Sequence, residues 1–320
     1  NTCIACNQAC LDHVFVAKKA SCLVNPRACA ETELNYLPAA TPRRIAVVGA
    51  GPAGLACATV AAERGHQVTL MDASPRIGGQ FNLAKTIPGK EEFHETLRYF
   101  DKRLQLTGVE QRLGAAVDAE QLLAGGFDEI VLATGIRPRK VDFPGSDHPK
   151  VVSYLDVLGG KVLPGHKVAI IGAGGIGFDV AEYLVHEGES PTLDTGRWLA
   201  EWGVAPDFEG AGGLARPRPE APAREVWLLQ RSPGKPGARL GKTTGWIHRS
   251  ALKAKGVQAL GGVEYLGVDD SGLRIRVDGR EQLLPVDHVV VCAGQEPLRA
   301  LFDPLVAAGR QPHLIGGADV

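Results

Sequence analysis

The sequence predicts an α/β fold in which two Rossmann-like dinucleotide-binding domains follow a short cysteine-rich segment. Two glycine fingerprints, at residues 49–54 and 172–177, each come after a short apolar run and before a helical pattern. That order is typical of a β-α-β unit that binds a dinucleotide. Four cysteines lie directly before the first fingerprint. The chain therefore combines a thiolate-rich segment with two nucleotide-binding units.

The composition is that of a globular protein with a sizeable core. Of the 320 residues, 44% are hydrophobic and 22% are charged. The 35 basic and 36 acidic side chains give a formal charge of −1, which favours neither nucleic acid nor an anionic membrane as a partner. Because no apolar run approaches the ~20 residues of a membrane span, we expect a soluble, cytoplasmic protein.

The amino-terminal segment, predicted as residues 1–42, carries cysteines with the spacing of metal ligands. Their pattern is C-x2-C-x3-C-x11-C, formed by Cys3, Cys6, Cys10 and Cys22. Four thiolates can hold an iron–sulfur cluster or a structural zinc ion. Zinc ribbons usually carry two C-x2-C pairs, whereas this segment has one and precedes a redox-type fold, so we favour the iron–sulfur cluster. The other three cysteines are scattered and the total of seven is odd, which argues against a disulfide framework.

Each fingerprint uses its three glycines for different purposes. The first glycine permits a tight turn, the second lets the backbone approach a pyrophosphate, and the third lets the helix pack closely on the strand. The helix that follows points its amino-terminal N–H groups at the phosphates. The glycines are Gly49, Gly51 and Gly54 in the first fingerprint, and Gly172, Gly174 and Gly177 in the second.

The first unit is predicted from strand Arg44–Val48, a helix, and strand His66–Asp72. Asp72 lies 18 residues beyond Gly54, where a carboxylate can accept hydrogen bonds from an adenosine ribose. A strand-end turn is the alternative explanation of Asp72. The stretch Gly78-Gly79-Gln80 is a second glycine turn suited to the close approach of a flavin, although a simple turn has the same composition.

The second unit is predicted from strand Lys167–Ile171, its fingerprint and strand Val226–Gln230. Arg231-Ser232 follows that strand where an NAD-binding unit would have an acid. A carboxylate would repel a 2′-phosphate and an arginine can bind it, so the pattern favours NADPH over NADH. An exposed arginine beside a turn is the alternative. Three more cations extend the same loop, namely Lys235, Arg239 and Lys242.

Residues 187–224 separate the helix of the second unit from its next strand. Three prolines lie close together in this stretch, and one short helix is expected around Trp198–Trp202. So long a connection is uncommon in a compact domain and tends to be functional or mobile. We predict a surface insertion, for which a solvated loop is the simplest interpretation.

Several motifs together resemble one family of enzymes. They are Cys6-Asn7-Gln8-Ala9-Cys10, Ala133-Thr134-Gly135, the stretch from Leu240 to Trp246 (LGKTTGW) and the stretch from Cys292 to Pro297 (CAGQEP). With the fingerprints, they resemble the carboxyl-terminal half of bacterial NADPH-dependent 2,4-dienoyl-CoA reductases. That family lies among the trimethylamine dehydrogenase-like, old yellow enzyme-related iron–sulfur flavoproteins. The resemblance extends over essentially the whole chain.

The resemblance implies a domain order and a set of cofactors. Residues 1–42 would hold a [4Fe–4S] cluster, residues 43–160 and 291–320 a discontinuous FAD domain, and residues 161–290 an inserted NADPH domain. In the family a preceding TIM barrel carries FMN and the 2,4-dienoyl-CoA. We therefore expect a fragment that lacks the barrel, with its substrate-side catalytic residues, and the helix after residue 320. The implied function is electron transfer from NADPH through FAD and the cluster to FMN, in the β-oxidation of unsaturated fatty acids.

The resemblance also implies roles for individual residues. The four amino-terminal cysteines would ligate the cluster, and Gln8 between them would approach a flavin. Arg231 and Ser232 would bind the 2′-phosphate of NADPH. Asp72 stands where the family more often has Glu. The positions that would hold FAD are Ala53, Asp72, Gly79, Gln80, Lys90, the backbone near Val117, and Asp319.

Two alternatives remain open at this point. The small subunit of an NADPH-dependent glutamate synthase also combines cysteine clusters with two such domains, although it needs more cysteines than this chain has. A stand-alone flavin reductase module would instead pass electrons to a separate protein.

Overall fold

The structure is a computed structural model that describes residues 1–207 and 209–319. Phe208 of the predicted insertion and Val320, the last residue of the predicted FAD domain, lie outside the described residues. The chain divides into two compact units. Unit 1 comprises residues 1–85, 92–137 and 295–320, and unit 2 comprises residues 86–91 and 138–294.

Unit 1 is built on a five-stranded parallel sheet. Its strands are β1 (Arg44–Val48), β2 (Gln67–Asp72), β3 (Glu110–Leu113), β4 (Glu129–Leu132) and β15 (His313–Leu314). They pair in the order β15-β4-β1-β2-β3, so β1 is central. Two short strands, β5 (Ile136–Pro138) and β14 (Gln295–Pro297), pair with each other where the chain leaves and re-enters the unit.

The helices of unit 1 are α1 (Leu11–Val14), α2 (Pro52–Glu63), α3 (Phe81–Ala84), α4 (Phe93–Thr107), α5 (Ala119–Ala124) and α10 (Phe302–Ala307). Helices α2 and α4 pack on one face of the sheet, and α5 and α10 pack on the other. Alternate side chains of a strand point to opposite faces. Val47 accordingly packs with Leu55 of α2 and Leu104 of α4, whereas Val48 lies in the cluster of Leu122 from α5 and Leu305 from α10.

Unit 2 combines a parallel sheet with an antiparallel one. The parallel strands are β6 (Val151–Ser153), β7 (Lys167–Ile171), β8 (Glu225–Leu229), β9 (Gln258–Leu260) and β13 (His288–Val291), in the order β6-β13-β7-β8-β9. The antiparallel strands are β10 (Glu264–Asp269), β11 (Gly272–Val277) and β12 (Arg280–Leu284). Leu273 and Ile275 of β11 pack with Ile171 and Leu229, so the antiparallel sheet covers one face of the parallel sheet.

The helices of unit 2 are α6 (Tyr154–Leu158), α7 (Gly175–Val185), α8 (Thr195–Trp202) and α9 (Gly245–Ala254). Helix α7 follows the second fingerprint and buries Val180, Ala181 and Leu184. Helix α8 lies in the insertion, and among its described residues none is buried. Asp194 caps α8 through the N–H of Arg197, and Gly203 ends it in the left-handed conformation.

The predicted fold class is confirmed, since both fingerprints lie between parallel strands of separate sheets. The longer segment of the second compact unit runs from residue 138 to residue 294 and includes β6, which pairs with β13. The predicted domain bounds, 43–160 and 291–320 for FAD and 161–290 for NADPH, stay predictions. The assignment of FAD to the first unit and NADPH to the second stays a prediction.

The cysteine segment differs from both units in its packing. Over residues 1–42, all of which the structure describes, Ala9 is the single buried hydrophobic side chain. Large hydrophobic side chains are exposed there instead, namely Leu11, Val14, Phe15, Val16, Leu23, Leu34 and Leu37. The burial of apolar side chains therefore contributes little to holding this segment in place.

Within residues 1–207 and 209–319, the structure contains no helix with the length and apolar character needed to cross a membrane.

Candidate functional site

The two fingerprint turns require glycine at their first position. Gly49 has a φ of +111°, and a Cβ atom on it would lie 2.2 Å from the carbonyl oxygen of Ala133. Gly172 has a φ of +113°, and a Cβ atom there would lie 2.8 Å from the backbone of Cys292. Each turn thus packs directly against the backbone at the end of the neighbouring strand, β4 or β13. A side chain at the first glycine would overlap that backbone.

The second glycine of each fingerprint faces open space. A Cβ atom on Gly51 or Gly174 would meet no atom within 4 Å among the described residues. These glycines precede α2 and α7, and neither helix has an acid in its first turn or a side-chain cap in the described structure. The amino-terminal N–H groups of both helices are thus available to a phosphate, and both sites fit a dinucleotide.

The predicted ribose ligand Asp72 lies beside the first fingerprint. Its Oδ2 atom accepts a hydrogen bond of 2.6 Å from the N–H of Ala50, and its Oδ1 atom accepts one of 2.7 Å from the N–H of Ser74. These bonds hold the carboxylate at the end of β2. Each carboxylate oxygen can accept a further hydrogen bond, so Asp72 fits the ribose role and also explains the shape of the turn.

The second glycine turn packs directly on the first fingerprint. The N–H of Gly78 donates a 2.7 Å hydrogen bond to Ala50, and a Cβ atom on Gly79 would lie 3.1 Å from the Cα atom of Gly51. The side-chain amide of Gln80 donates a 3.0 Å hydrogen bond to the carbonyl of Ile136. The structure therefore brings Gly79 and Gln80 to the first fingerprint.

The carboxyl-terminal turn, residues 316–319, also reaches the first fingerprint. A Cβ atom on Gly316 would lie 2.6 Å from the Cβ atom of Ala53. The turn is held by Arg299, whose guanidinium donates 2.6 Å hydrogen bonds to the carbonyls of Ala318 and Asp319. Sequence reasoning singled out Asp319 and missed Arg299, which stands only two residues after the CAGQEP motif.

The other three predicted FAD residues belong to three different parts of the chain. Gln8 belongs to a turn of the cysteine segment, and Val117 packs with the cluster around Leu122. Lys90 belongs to unit 2, where its Nζ atom lies 2.6 Å from Oδ2 of Asp179. The contacts described for these three residues do not show them meeting at one site.

Asp179 is a residue that sequence reasoning missed. It follows Gly177 by two positions on α7, and both it and Lys90 keep only 23% of their side-chain surface exposed. Burial raises the pKa of the Cys292 thiol, and the charge of Asp179 raises it further. A charged pair therefore lies close to the second fingerprint and to the end of β13.

A second polar pair joins α7 to α9. Nδ1 of His248 lies 2.7 Å from Oε1 of Glu182. The hydrogen bond to Glu182 raises the pKa of the His248 imidazole, and burial opposes this change only in part. No local pattern predicts this pair, because 66 positions separate the two residues.

The predicted phosphate-binding residues Arg231 and Ser232 are both exposed in the loop after β8. Arg231 lies close enough to Tyr265 for its charge to lower the pKa of that hydroxyl, against the larger effect of burial, which raises it. Lys235, Arg239 and Lys242 are exposed on the same loop. The loop thus carries four cations toward solvent.

The cysteines of the amino-terminal segment are free thiols. Among the residues that the structure describes, no three His, Cys, Asp or Glu side chains are grouped closely enough to hold a metal ion. The backbone N–H of Ala5 points at the sulfur of Cys3, with a separation of 3.4 Å. The N–H of Ser21 donates a 2.7 Å hydrogen bond to Ala9, which brings the chain before Cys22 next to the chain before Cys10. The thiol donors fit an iron–sulfur cluster chemically, although the structure does not gather them.

The comparisons with known proteins agree with this geometry. A family model described as pyridine nucleotide-disulphide oxidoreductase matches residues 43–311. A metal reductase of Desulforamulus reducens is 34% identical over 322 residues, which cover 99% of this chain and 47% of that protein. A cinnamate reductase of Clostridium sporogenes is 34% identical over 191 residues, which cover 60% of this chain and 29% of that protein.

Among solved structures, a complex of 2-naphthoyl-CoA reductase with 2-naphthoyl-CoA matches with a TM-score of 0.83 at 30% identity. The match covers 99% of this chain and 43% of that chain. The present chain thus spans less than half the length of the relatives named here.

Two dinucleotide sites on separate parallel sheets define an NAD(P)H-dependent flavoprotein oxidoreductase module. The chain belongs to the pyridine nucleotide-disulphide oxidoreductase family, whose model covers both fingerprints. FAD and NAD(P)H are accordingly its cofactors.

Proposed function

We propose that this chain is the NADPH-oxidising, electron-input part of a reductase for unsaturated acyl-CoA, with a 2,4-dienoyl-CoA as the substrate. The observation that carries the proposal is the contrast between the two strand ends. Asp72 after the first fingerprint suits an unmodified ribose, whereas Arg231 after the second suits a 2′-phosphate. When bound, FAD accepts a hydride from NADPH and releases its electrons one at a time.

The residues of unit 1 would bind and orient FAD. The N–H groups at the start of α2 would hold the pyrophosphate, and Asp72 would hold the adenosine ribose. Gln80 and the turn at 316–319 lie beside the same fingerprint and would contact the remainder of the cofactor. In unit 2, the start of α7 would hold the pyrophosphate of NADPH and Arg231 its 2′-phosphate.

The cysteine segment would hold a [4Fe–4S] cluster through Cys3, Cys6, Cys10 and Cys22, and such a cluster exchanges single electrons. Two features support this role. The segment has almost no buried apolar side chains of its own, and four of its non-glycine residues, Ala5, Asn7, Ala17 and Cys29, adopt a positive φ. Such a backbone needs a further stabilising group, and four metal–thiolate bonds would supply one.

The substrate site would lie in a part of the protein outside these residues. The relatives are longer than this chain, and two of them are named for reducing 2-naphthoyl-CoA and cinnamate. The first is the CoA thioester of an aromatic acid and the second is an unsaturated acid with a conjugated double bond, which supports an unsaturated acyl-CoA as the substrate. A preceding barrel with FMN, as in the resembled family, would bind that substrate in the cytoplasm.

The cluster can be tested by metal analysis. Anaerobically reconstituted protein should contain about four iron and four sulfide per chain, as a four-cysteine cubane requires. Cys10→Ala should lose most of the iron, whereas Cys57→Ala, a change outside the segment, should lose none. Stoichiometric zinc without acid-labile sulfide would show that the site is structural.

The electron-input function can be tested with two acceptors. The chain loaded with FAD should oxidise NADPH with ferricyanide as the oxidant and should leave 2,4-dienoyl-CoA unreduced. A longer protein that includes the barrel should reduce both, and Cys10→Ala there should spare only the ferricyanide reaction. Reduction of dienoyl-CoA by this chain alone would overturn our placement of the substrate site. A longer protein that passes electrons only to a separate protein would favour the stand-alone module.

A further inference from the structure

The loop that carries Arg231 has an exposed part and a buried part. We define the basic loop as residues 231–242, between β8 and α9. Its cationic residues are exposed, whereas Pro236 and Gly237 are buried. Gly237 has a φ of +72°, and a Cβ atom on it would lie 2.5 Å from the ring of Phe178 on α7. The basic loop is thus seated on the helix of the second fingerprint.

Arg249 of α9 holds the buried part of the basic loop. Its Nη1 atom donates a 2.9 Å hydrogen bond to the carbonyl of Gly237, and this contact is partly buried. The neighbouring residue His248 pairs with Glu182 of α7, which fixes the helix that presents Arg249. A guanidinium that donates to a carbonyl makes a charge-assisted hydrogen bond, which is stronger than a neutral one.

Gln230 holds the beginning of the basic loop. Its side-chain Nε2 atom donates to the carbonyls of Ser232, at 3.0 Å, and Gly234, at 3.3 Å. The N–H of Gly262 donates a further 2.9 Å hydrogen bond to Ser232. The backbone on the carboxyl-terminal side of Arg231 is therefore fixed, although the Arg231 side chain is exposed.

We propose that Gln230 and Arg249 are positioning residues for recognition of the 2′-phosphate of NADPH, an inference that rests on the function proposed above. Four like charges repel one another, and an unrestrained loop would have to be ordered when the phosphate binds. The two side chains order the loop before the phosphate binds. Arg231 and Ser232 can then bind the phosphate without the entropic cost of ordering the loop. The start of α7 holds the 5′-phosphate separately, so binding of a nucleotide without the 2′-phosphate does not depend on the loop.

The test is calorimetric titration of the chain with 2′,5′-ADP and with 5′-AMP, which differ only in the 2′-phosphate. The unchanged protein should bind 2′,5′-ADP more tightly. Gln230→Met and Arg249→Met should each reduce this preference roughly tenfold, the size expected for one or two lost hydrogen bonds, and leave the affinity for 5′-AMP unchanged. Gln230→Met alters no charge, so its effect cannot come from a weaker electrostatic field.

Two further variants serve as controls. Arg249→Lys keeps the charge and can still donate a hydrogen bond to the carbonyl of Gly237, so it should retain part of the preference. Arg280→Met removes an exposed arginine of β12 and should leave the preference unchanged.

The possible results distinguish an error in the proposed NADPH preference from an error in the positioning role of Gln230 and Arg249. If the unchanged protein binds both probes equally, the proposed preference for NADPH is wrong and this inference falls with it. If the unchanged protein discriminates but Gln230→Met and Arg249→Met discriminate equally well, only the positioning role is wrong. Equal losses for both probes would show a merely structural role. Should Arg249→Met fail to fold, Gln230→Met decides the matter.

Discussion

The two fingerprints share one backbone arrangement and differ in the residues around it. A Cβ atom on Gly54 or Gly177 would lie 1.8 Å from the carbonyl oxygen of Gly49 or Gly172, respectively. At the end of the next strand, however, unit 1 has the carboxylate of Asp72, whereas unit 2 has the exposed Arg231 just beyond its strand. Under the function proposed above, the turn and helix would bind the phosphates in both units, and these two residues would account for the different dinucleotides.

The largest effects are expected where the two units are alike. Gly54→Ala and Gly177→Ala should each lower the free energy of unfolding by about 3 kcal/mol, because a backbone carbonyl occupies the position of the new methyl group. Urea unfolding followed by circular dichroism measures the change. Gly51→Ala and Gly174→Ala are matched controls that face open space and should change stability by less than about 0.5 kcal/mol. An equal loss in all four variants would contradict the shared arrangement.

The next effects are expected where the units differ. Arg231→Ala should weaken NADPH binding by about 1.5–3 kcal/mol and leave NADH binding nearly unchanged, because one charge-assisted contact to the 2′-phosphate is lost. The ratio of kcat/KM for the two cofactors measures this change. Equal losses for NADPH and NADH would mean that Arg231 does not contact the phosphate.

The corresponding change in unit 1 is Asp72→Ala. It should weaken FAD binding by about 1.5–3 kcal/mol, measured by flavin fluorescence, because the ribose loses a charged acceptor. Asp72→Glu is the matched control and should retain FAD, since the carboxylate remains. Tight FAD binding by Asp72→Ala would reduce Asp72 to its structural role of accepting from Ala50 and Ser74.

The smallest effect concerns the pair that joins α7 to α9. Because Glu182 raises the pKa of folded His248 above its unfolded value, the pair stabilises the fold fully below the ordinary histidine pKa of about 6.5. The stabilisation is lost as pH rises through the raised pKa. His248→Gln should therefore lower the urea midpoint at pH values below the ordinary histidine pKa, and the difference from the unchanged protein should shrink as pH rises through the raised pKa. Glu182→Gln should give the same profile, and a difference that grows with pH would contradict the pairing.

The central strand of each parallel sheet could be predicted from local patterns. Strands Arg44–Val48 and Lys167–Ile171 were both predicted with the bounds that the structure has. A short apolar, β-branched run that ends in glycine is typical of a buried parallel strand, because both faces of such a strand are covered and need apolar side chains. The positions of Asp72 and Arg231 followed from the same spacing.

The contacts between distant residues could not be predicted in this way. Lys90 was assigned to FAD from a resemblance, yet its ion-pair partner Asp179 lies 89 positions away. No local pattern shows the pairing of β6 with β13. The hydrogen bond from Arg249 to the carbonyl of Gly237 likewise depends on how the loop between them folds.

The sequence by itself determined the two β-α-β units, their order and the chemical contrast between Asp72 and Arg231, because each depends on residue type and short spacing. The tertiary structure alone decided which side chains hold those residues in place. Gln230 and Arg249 clamp the basic loop, and Arg299 holds the turn at 316–319, through hydrogen bonds to carbonyls. Every residue has a backbone carbonyl, so residue type does not reveal which carbonyl accepts a given hydrogen bond. Only the folded backbone shows which donor and which carbonyl are close together.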